Sequence, residues 1–497
     1  MTFEGKHACV IGAGFGGLAL AIRLQAAGLA TTLVEARDKP GGCAYFWQKD
    51  GFTFDAGPTA IVDPGCLREL WEITGHSMAD DVELMPVTPH YRLSWPDGTS
   101  FDQSDDAPAL RRQIVRLAPA DLGGYEAFLA HSAECAREHG ERLGAQRFFD
   151  FTAMARAVPA LVKQRAWRSA YDTAARFVEN EKVRQALSIH TLLVGGNPLA
   201  PGSVFALMHR PETSGGVWWV RGGINRLAAA MLRHFERLGG TVRLGEAAVA
   251  IETSGTRVTE VETASGWRER FQAVASNGDL MRTYRDLLSD SARGQQMARR
   301  LARKRFSPSL FVVHFGIEGN WPGIPHHTVL FGPRYRGLLE DIFDHGVLPA
   351  DLSIYLHHPT VTDPSLAPEG MSTFYALIPV PHLGKLTVDW AQIGPVLEAR
   401  VLAEIERRLI PDLSDRIVTR FHYTPRDFAG DMGAHLGSAF GPEPVLTQSA
   451  WFRCPRRDDV ISNLYLVGAG THPGAGIPGV IAGAKATAAI MLEDLAS

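Results

Sequence analysis

A short apolar run, His7-Ala8-Cys9-Val10-Ile11, opens into Gly12-Ala13-Gly14-Phe15-Gly16-Gly17, and a second, Thr31-Thr32-Leu33-Val34, stops at Glu35. The residues between them, Leu18 to Ala27, read as an apolar helix closed by Gly28. Strand, glycine loop, helix, strand and acid in that order define a βαβ unit for a dinucleotide. Gly12 serves the tight turn, Gly14, with Gly16 beside it, lets the backbone approach a pyrophosphate at the helix N-terminus, and Gly17 lets helix and strand lie close. Glu35 follows Gly17 by eighteen positions and is expected to accept hydrogen bonds from ribose hydroxyls. A glycine fingerprint alone is weak, but here its whole setting is present, and a plain packed turn is the poorer reading.

The ligand expected is FAD rather than NAD. After Glu35 come Gly41 and Gly42, the aromatics Tyr45, Phe46 and Trp47, and then Asp55-Ala56-Gly57-Pro58. This second glycine pair lets backbone amides reach another part of a long cofactor, which a bare NAD site does not need. The far end repeats the device: Asn463 to Val467 reads as a strand, Gly468-Ala469-Gly470-Thr471-His472-Pro473-Gly474-Ala475-Gly476-Ile477-Pro478-Gly479-Val480 as a dense loop, and Ile481 to Leu495 as a small-residue helix. Its contacts are expected from Gly468, Gly470, Gly476, Ile477, Gly479 and Val480, and its helix N-terminus suits a pyrophosphate or an electron-rich ring edge.

This terminal run resembles that of the bacterial-type phytoene desaturases. So do Asp55-Ala56-Gly57-Pro58, Leu193 to Pro198, Gly332 to Arg336, Ser365 to Gly370, Pro379 to Gly384 and Gln448 to Phe452, so the resemblance spans the chain. It implies an FAD-dependent enzyme that removes hydrogen pairs from a C40 polyene, converting phytoene to lycopene. It also implies that the backbone near Val249 meets the adenine, that Asp55 and Gly57 belong to the flavin site, and that Arg156 stands beside the substrate channel as the catalytic candidate. A solvated helix-face arginine is the competing reading of Arg156. The family often has an acid three positions before that arginine, where this chain has Ala153, and it usually has arginine where this chain has Cys43.

With 497 residues the chain can build two or three domains, and a net charge of −4 gives no case for nucleic acid. Its five cysteines are odd in number and widely spaced, as in a reducing compartment. The first strand begins too early to leave room for a signal peptide, and no apolar run is long enough to span a membrane. The expected place is the cytoplasm, peripheral to the inner face of the cell membrane.

The expected fold is α/β: a Rossmann-type FAD-binding domain assembled from separated segments (1–75, 216–300 and 442–497), a sheet-rich substrate domain (76–104 and 301–441), and an inserted helical region (105–215). In that region helices are expected around 125–139 and across 151–180. From Arg147 to Arg176, Arg147, Arg156, Lys163, Arg165, Arg168 and Arg176 interleave with apolar residues such as Phe151 and Trp167. Such a segment can lie in a membrane interface, although an amphipathic helix over a core gives the same pattern. The pairs His326-His327 and His357-His358 invite a metal reading. Adjacent histidines on a strand point in different directions and no cysteine or carboxylate completes a set, so no metal is expected. His472 can meet the flavin or merely its own loop.

A hydrocarbon substrate offers no charge to bind, so affinity comes from apolar burial at about 25 cal/mol per Å². A redox-neutral carotene isomerase, an amine oxidase and a non-enzymatic isoprenoid escort remain alternatives on the same fold. No second nucleotide fingerprint is present for NADPH, so the electron acceptor expected is a quinone or oxygen.

Overall fold

The computed structural model describes residues 3–142, 159, 162, 165–201 and 215–496. Its first sheet has five parallel strands in the order Leu464–Leu466, Ala273–Ser276, His7–Ile11, Ala30–Val34 and Thr241–Arg243. Three distant stretches of chain therefore share one sheet. The strand at its centre is buried on both faces: Ala8 and Val10 join one core, Cys9 and Ile11 another. Double-sided burial is why this strand is an unbroken apolar run instead of an alternating one.

Helix Phe15–Ala26 is buried almost all round, between helices Ile224–Arg237 and Ile477–Ala496. That enclosure accounts for its lack of a polar face. The opposite face of the sheet is covered by an antiparallel meander, Ala248–Ser254, Arg257–Thr263 and Arg268–Arg270.

The second large sheet has seven strands, ordered Ile417–Tyr423, Ser309–Glu318, Met371–Val380, Ile354–His357, His327–Leu330, Tyr91–Ser94 and Ser100–Gln103. One face packs Phe311, Val313, Phe374, Ala376 and Leu356 on helix Trp390–Arg408 through Leu397, Val401 and Ile405. The other face carries the alternate residues and meets the hairpin Phe46–Lys49/Phe52–Asp55 through Trp47 and Phe54.

In the inserted region, helix Ala107–Leu117 starts where Asp106 accepts from the Ala109 N–H at 2.9 Å, and helix Leu122–Arg142 follows. A helix continuous to residue 180 does not form. Residues 165–168 turn, with Arg165 at φ 52°, and Ser169 then caps the separate helix Ala170–Ala174. The turn contains no glycine or proline to announce it.

Candidate functional site

The residues singled out at the two ends of the chain converge at the C-terminal edge of the parallel sheet. Gly12 leaves its strand at φ +98°, a conformation that disfavours any side chain. A Cβ on Gly17 would lie 1.9 Å from the Gly12 carbonyl oxygen, so only glycine permits this contact of helix with loop. The Gly41 N–H donates to Ala13 O at 2.8 Å, which docks the Gly41-Gly42 turn on the first loop, and a Cβ on Gly42 would stand 3.1 Å from the Gly14 Cα. Gly57 packs against the Cys43 carbonyl in the same way, while the Cys43 side chain is exposed.

The hub of this arrangement is Asn277, which sequence reasoning missed. It follows strand Ala273–Ser276, and its N–H donates to Ile11 O at 2.8 Å. Its side chain faces Gly14, Gly16 and Gly468: a Cβ on these would approach to 2.9, 2.7 and 2.5 Å. Its position just beyond a parallel strand was the available signal.

Glu35 is buried and accepts from the Ala13 N–H at 2.7 Å and the Arg37 N–H at 2.9 Å, so it holds the glycine loop itself. The Glu246 N–H donates to Glu35 O at 2.8 Å and brings the meander alongside. Val249 then falls in an irregularity of the strand register and is 45% exposed, which leaves its backbone beside the Glu35 edge outside regular pairing.

At the far end, helix Ile477–Ala496 begins four residues before the expected start. Ile477, Gly479 and Val480 thus lie in its first turn, and the Val480 N–H donates to Gly476 O at 3.0 Å. Gly470 packs on Leu280. The loop is gripped by two buried arginines: Arg453 Nη2 donates to Ala469 O at 2.6 Å, and Arg456 Nη2 to His472 O at 3.1 Å. Burial pulls both guanidinium groups down to about 10. His472 is itself buried in this loop.

Asp55 ends the hairpin and faces the N-terminus of helix Ile224–Arg237, accepting from the Asn225 N–H at 3.4 Å and Asn225 Nδ2 at 3.3 Å. Burial outweighs these bonds and pushes its carboxyl up to about 7.

On the face of the large sheet that meets this hairpin, cross-strand register sets Phe421, His314, Tyr375, His357 and His327 in one row. Tyr91 extends it, and successive ring centroids lie 4.6, 5.6, 4.7, 5.6 and 5.0 Å apart. Six strands make the row about 24 Å long. Its histidines are sealed from solvent, and burial holds His314 and His327 down to about 3.

The expectation that His326 and His327 diverge is corrected here. His326 precedes its strand, escapes the alternation, and turns so that His326 Nε2 lies 3.0 Å from His357 Nε2; one nitrogen of each of His326, His327 and His357 falls within 4.8 Å of the others. The 3.0 Å contact is an ordinary N–H···N hydrogen bond between neutral rings. Beside the sealed row, Leu310, Leu377 and Tyr355 on the same face and Trp47 of the hairpin against it are only partly buried. Tyr355 OH bonds Thr59 Oγ1 at 2.6 Å and His327 Nδ1 at 2.7 Å. These four side chains form an apolar strip without a charged group of its own beside the hairpin.

Arg156, Ala153, Arg147 and Lys163 lie outside the described residues. Nearby, Val162 is 54% and Trp167 50% exposed, and a surface cavity of about 530 Å³ is lined by Trp167, Arg168, Asp172 and Arg176. No helix among the described residues is long and apolar enough to cross a membrane.

A family model for flavin containing amine oxidoreductases matches residues 15–492. The lycopene-forming phytoene desaturase of Paracoccus sp. (strain N81106 / MBIC 01143) is 55% identical over 99% of this chain and 98% of its own. The chain belongs to the phytoene desaturase family. In the same family the lycopene-forming enzyme of Pantoea ananas is 51% identical over 99% of this chain and all of its own, and the neurosporene-forming enzyme of Cereibacter sphaeroides 40% over 98% and 94%. Solved structures share the fold. An oxidoreductase from Methanosarcina mazei superposes with TM-score 0.65 at 15% identity over 97% of this chain and 99% of its own, and cyclohexylamine oxidase from Brevibacterium oxydans with 0.62 at 18% over 99% and 100%. The cofactor of this desaturase-family chain is FAD, and the residues fit it: Gly12, Gly14, Gly16, Gly41, Gly42 and Gly468 bound a cradle of bare backbone.

Proposed function

We propose that this chain dehydrogenates phytoene stepwise to lycopene. The observation that carries the reading is the full-length identity of 55% and 51% to lycopene-forming desaturases, against 40% to a neurosporene-forming one. Bound FAD supplies the oxidant, taking up the hydride from the hydrocarbon. The chain supplies the rest. Its two glycine loops and Glu35 hold the cofactor, with Asp55, Gly57 and the backbone at Val249 completing that set, and segments 1–75, 216–300 and 442–497 form its domain. The half-buried strip of Leu310, Leu377, Tyr355 and Trp47 offers a polyene apolar surface without a charge to desolvate.

Phytoene partitions into lipid, so the chain works at a membrane face, docked through the basic segment 147–176 with Trp167 in the interface, and Arg156 is the catalytic candidate that the family resemblance implies. A quinone or oxygen then takes the electrons. Phytoene-loaded liposomes, incubated with the holoprotein and analysed by chromatography, test the reading. Lycopene with intermediates of fewer hydrogens is the expected product. Phytoene isomers at constant hydrogen count would establish the isomerase instead.

A further inference from the structure

Arg453 and Arg456 are 7% and 3% exposed, and each Nε finds no hydrogen-bond partner. Their neighbours are treated differently. Arg293 pairs with Asp458 at 2.9 Å, Arg457 with Asp494 at 2.8 Å and Arg305 with Glu443 at 2.8 Å, whereas Arg453 and Arg456 have no carboxylate partner among the described residues. A buried cation without an anion is strongly unfavourable, so a fold that keeps two of them at one loop calls for a negative charge that no described residue supplies.

The loop identifies that charge. Gly468 abuts Gly16, and on the proposed site the pyrophosphate takes the first helix N-terminus and the Gly41-Gly42 turn. From Gly468 the chain continues through Ala469 and His472, the two carbonyls the arginines hold, to a second helix N-terminus at Ile477. The loop thus brings two cations and a positive helix end to one stretch of backbone, beyond the part that serves the phosphates.

We propose that Arg453 and Arg456 are the counter-charge for the flavin ring in its reduced form, and so set the reduction potential of the holoprotein. When a substrate C–H bond gives its hydride to FAD, two electrons and one proton move together and the flavin gains one negative charge. The proton from the neighbouring carbon leaves to water. Cations held in a low-dielectric setting stabilise that added charge without a proton being taken up. The two arginines are positioning residues, acting through the field at the loop. The inference needs FAD binding alone, whatever the hydrocarbon.

The test uses FAD-loaded Arg453→Gln and Arg456→Gln, with Arg453→Lys and Arg456→Lys as charge-keeping controls. The readouts are the midpoint potential by dye equilibration and the Kd for oxidised FAD, with no carotenoid present. Each glutamine variant should weaken binding of reduced flavin about tenfold more than that of oxidised flavin, which lowers the midpoint by about 30 mV for a two-electron couple. The lysine variants should stay within about 10 mV of the parent. An unchanged midpoint with both flavin forms bound equally less tightly would overturn the proposal and leave the arginines as loop braces. If the glutamine variants retain no FAD, the lysine variants decide: a parent-like midpoint supports the counter-charge, and a fall of 30 mV or more despite the retained cation refutes it.

Discussion

Replacing Asp55 by Asn should change how the stability of the apoprotein depends on pH, and by a calculable amount. The carboxyl sits at 4% exposure, and burial, opposed by the Asn225 bonds and the Ile224 backbone and helped by Asp363, raises it from 3.8 to about 7. The group is therefore neutral in the folded chain over a range where the unfolded chain is ionised. Stability that is complete below pH 4 is lost as pH rises toward 7, because the unfolded state releases the proton first. With 1.36 kcal/mol per unit, the loss is about 1.5 kcal/mol at pH 5 and about 4 kcal/mol at pH 8. Asparagine carries no titration. Its amide N–H groups add a cost of about 1–3 kcal/mol if left without a partner, but that cost is the same at both pH values and cancels from the difference. Paired urea titrations of the two apoproteins at pH 5 and pH 8 should thus show the variant gaining about 2.5 kcal/mol on the parent between them. A gain below about 1 kcal/mol, at equal urea slopes, would mean that Asp55 is ionised in the folded chain and that the helix N-terminus wins over burial.

Gly17→Ala must push the first helix off its loop, since the added Cβ would meet the Gly12 carbonyl at 1.9 Å; the flavin-to-protein ratio after gel filtration should fall at least tenfold, and a ratio near one would refute the close packing. Asn277→Leu should weaken FAD binding by crowding Gly14, Gly16 and Gly468 while far-ultraviolet dichroism stays unchanged. Changing Arg165, Arg168 and Arg176 to Gln with Trp167→Ala should reduce co-sedimentation with anionic liposomes at low salt, at roughly 1 kcal/mol per cation removed, with the flavin spectrum intact. Unaltered sedimentation would move the docking surface elsewhere.

The first βαβ unit was legible because its signals are local: a strand buried on both faces, a loop of glycines and an acid at fixed spacing. The terminal helix was readable for the same reason, though Pro478 and Gly479 disguised its start, proline being tolerated in a first turn. Asn277 was hidden because its role depends on which strands pair, and Ala273–Ser276 comes to lie between strands more than 180 residues away in either direction. The row from Phe421 to Tyr91 was hidden likewise. Its members come from six separate strands and meet only through register, and His326 joins His357 by lying one residue outside a strand. The turn at 165–168 escaped because amphipathic spacing continues through it while Arg165 leaves the helical region.

The place of strand Leu464–Leu466 in the parallel sheet has a consequence for how the enzyme is made. The first glycine loop leaves the ribosome more than 450 residues before Gly468, which forms part of the same cradle. The cradle proposed for FAD is therefore only half made for most of that time, with Asn277 in place only after the halfway point. On the proposed site FAD would be captured only at the end of synthesis and would clasp the chain's two ends together. A chain lacking its last 35 residues would keep the seven-stranded sheet and all of its first loop but lose the second half of the proposed cradle.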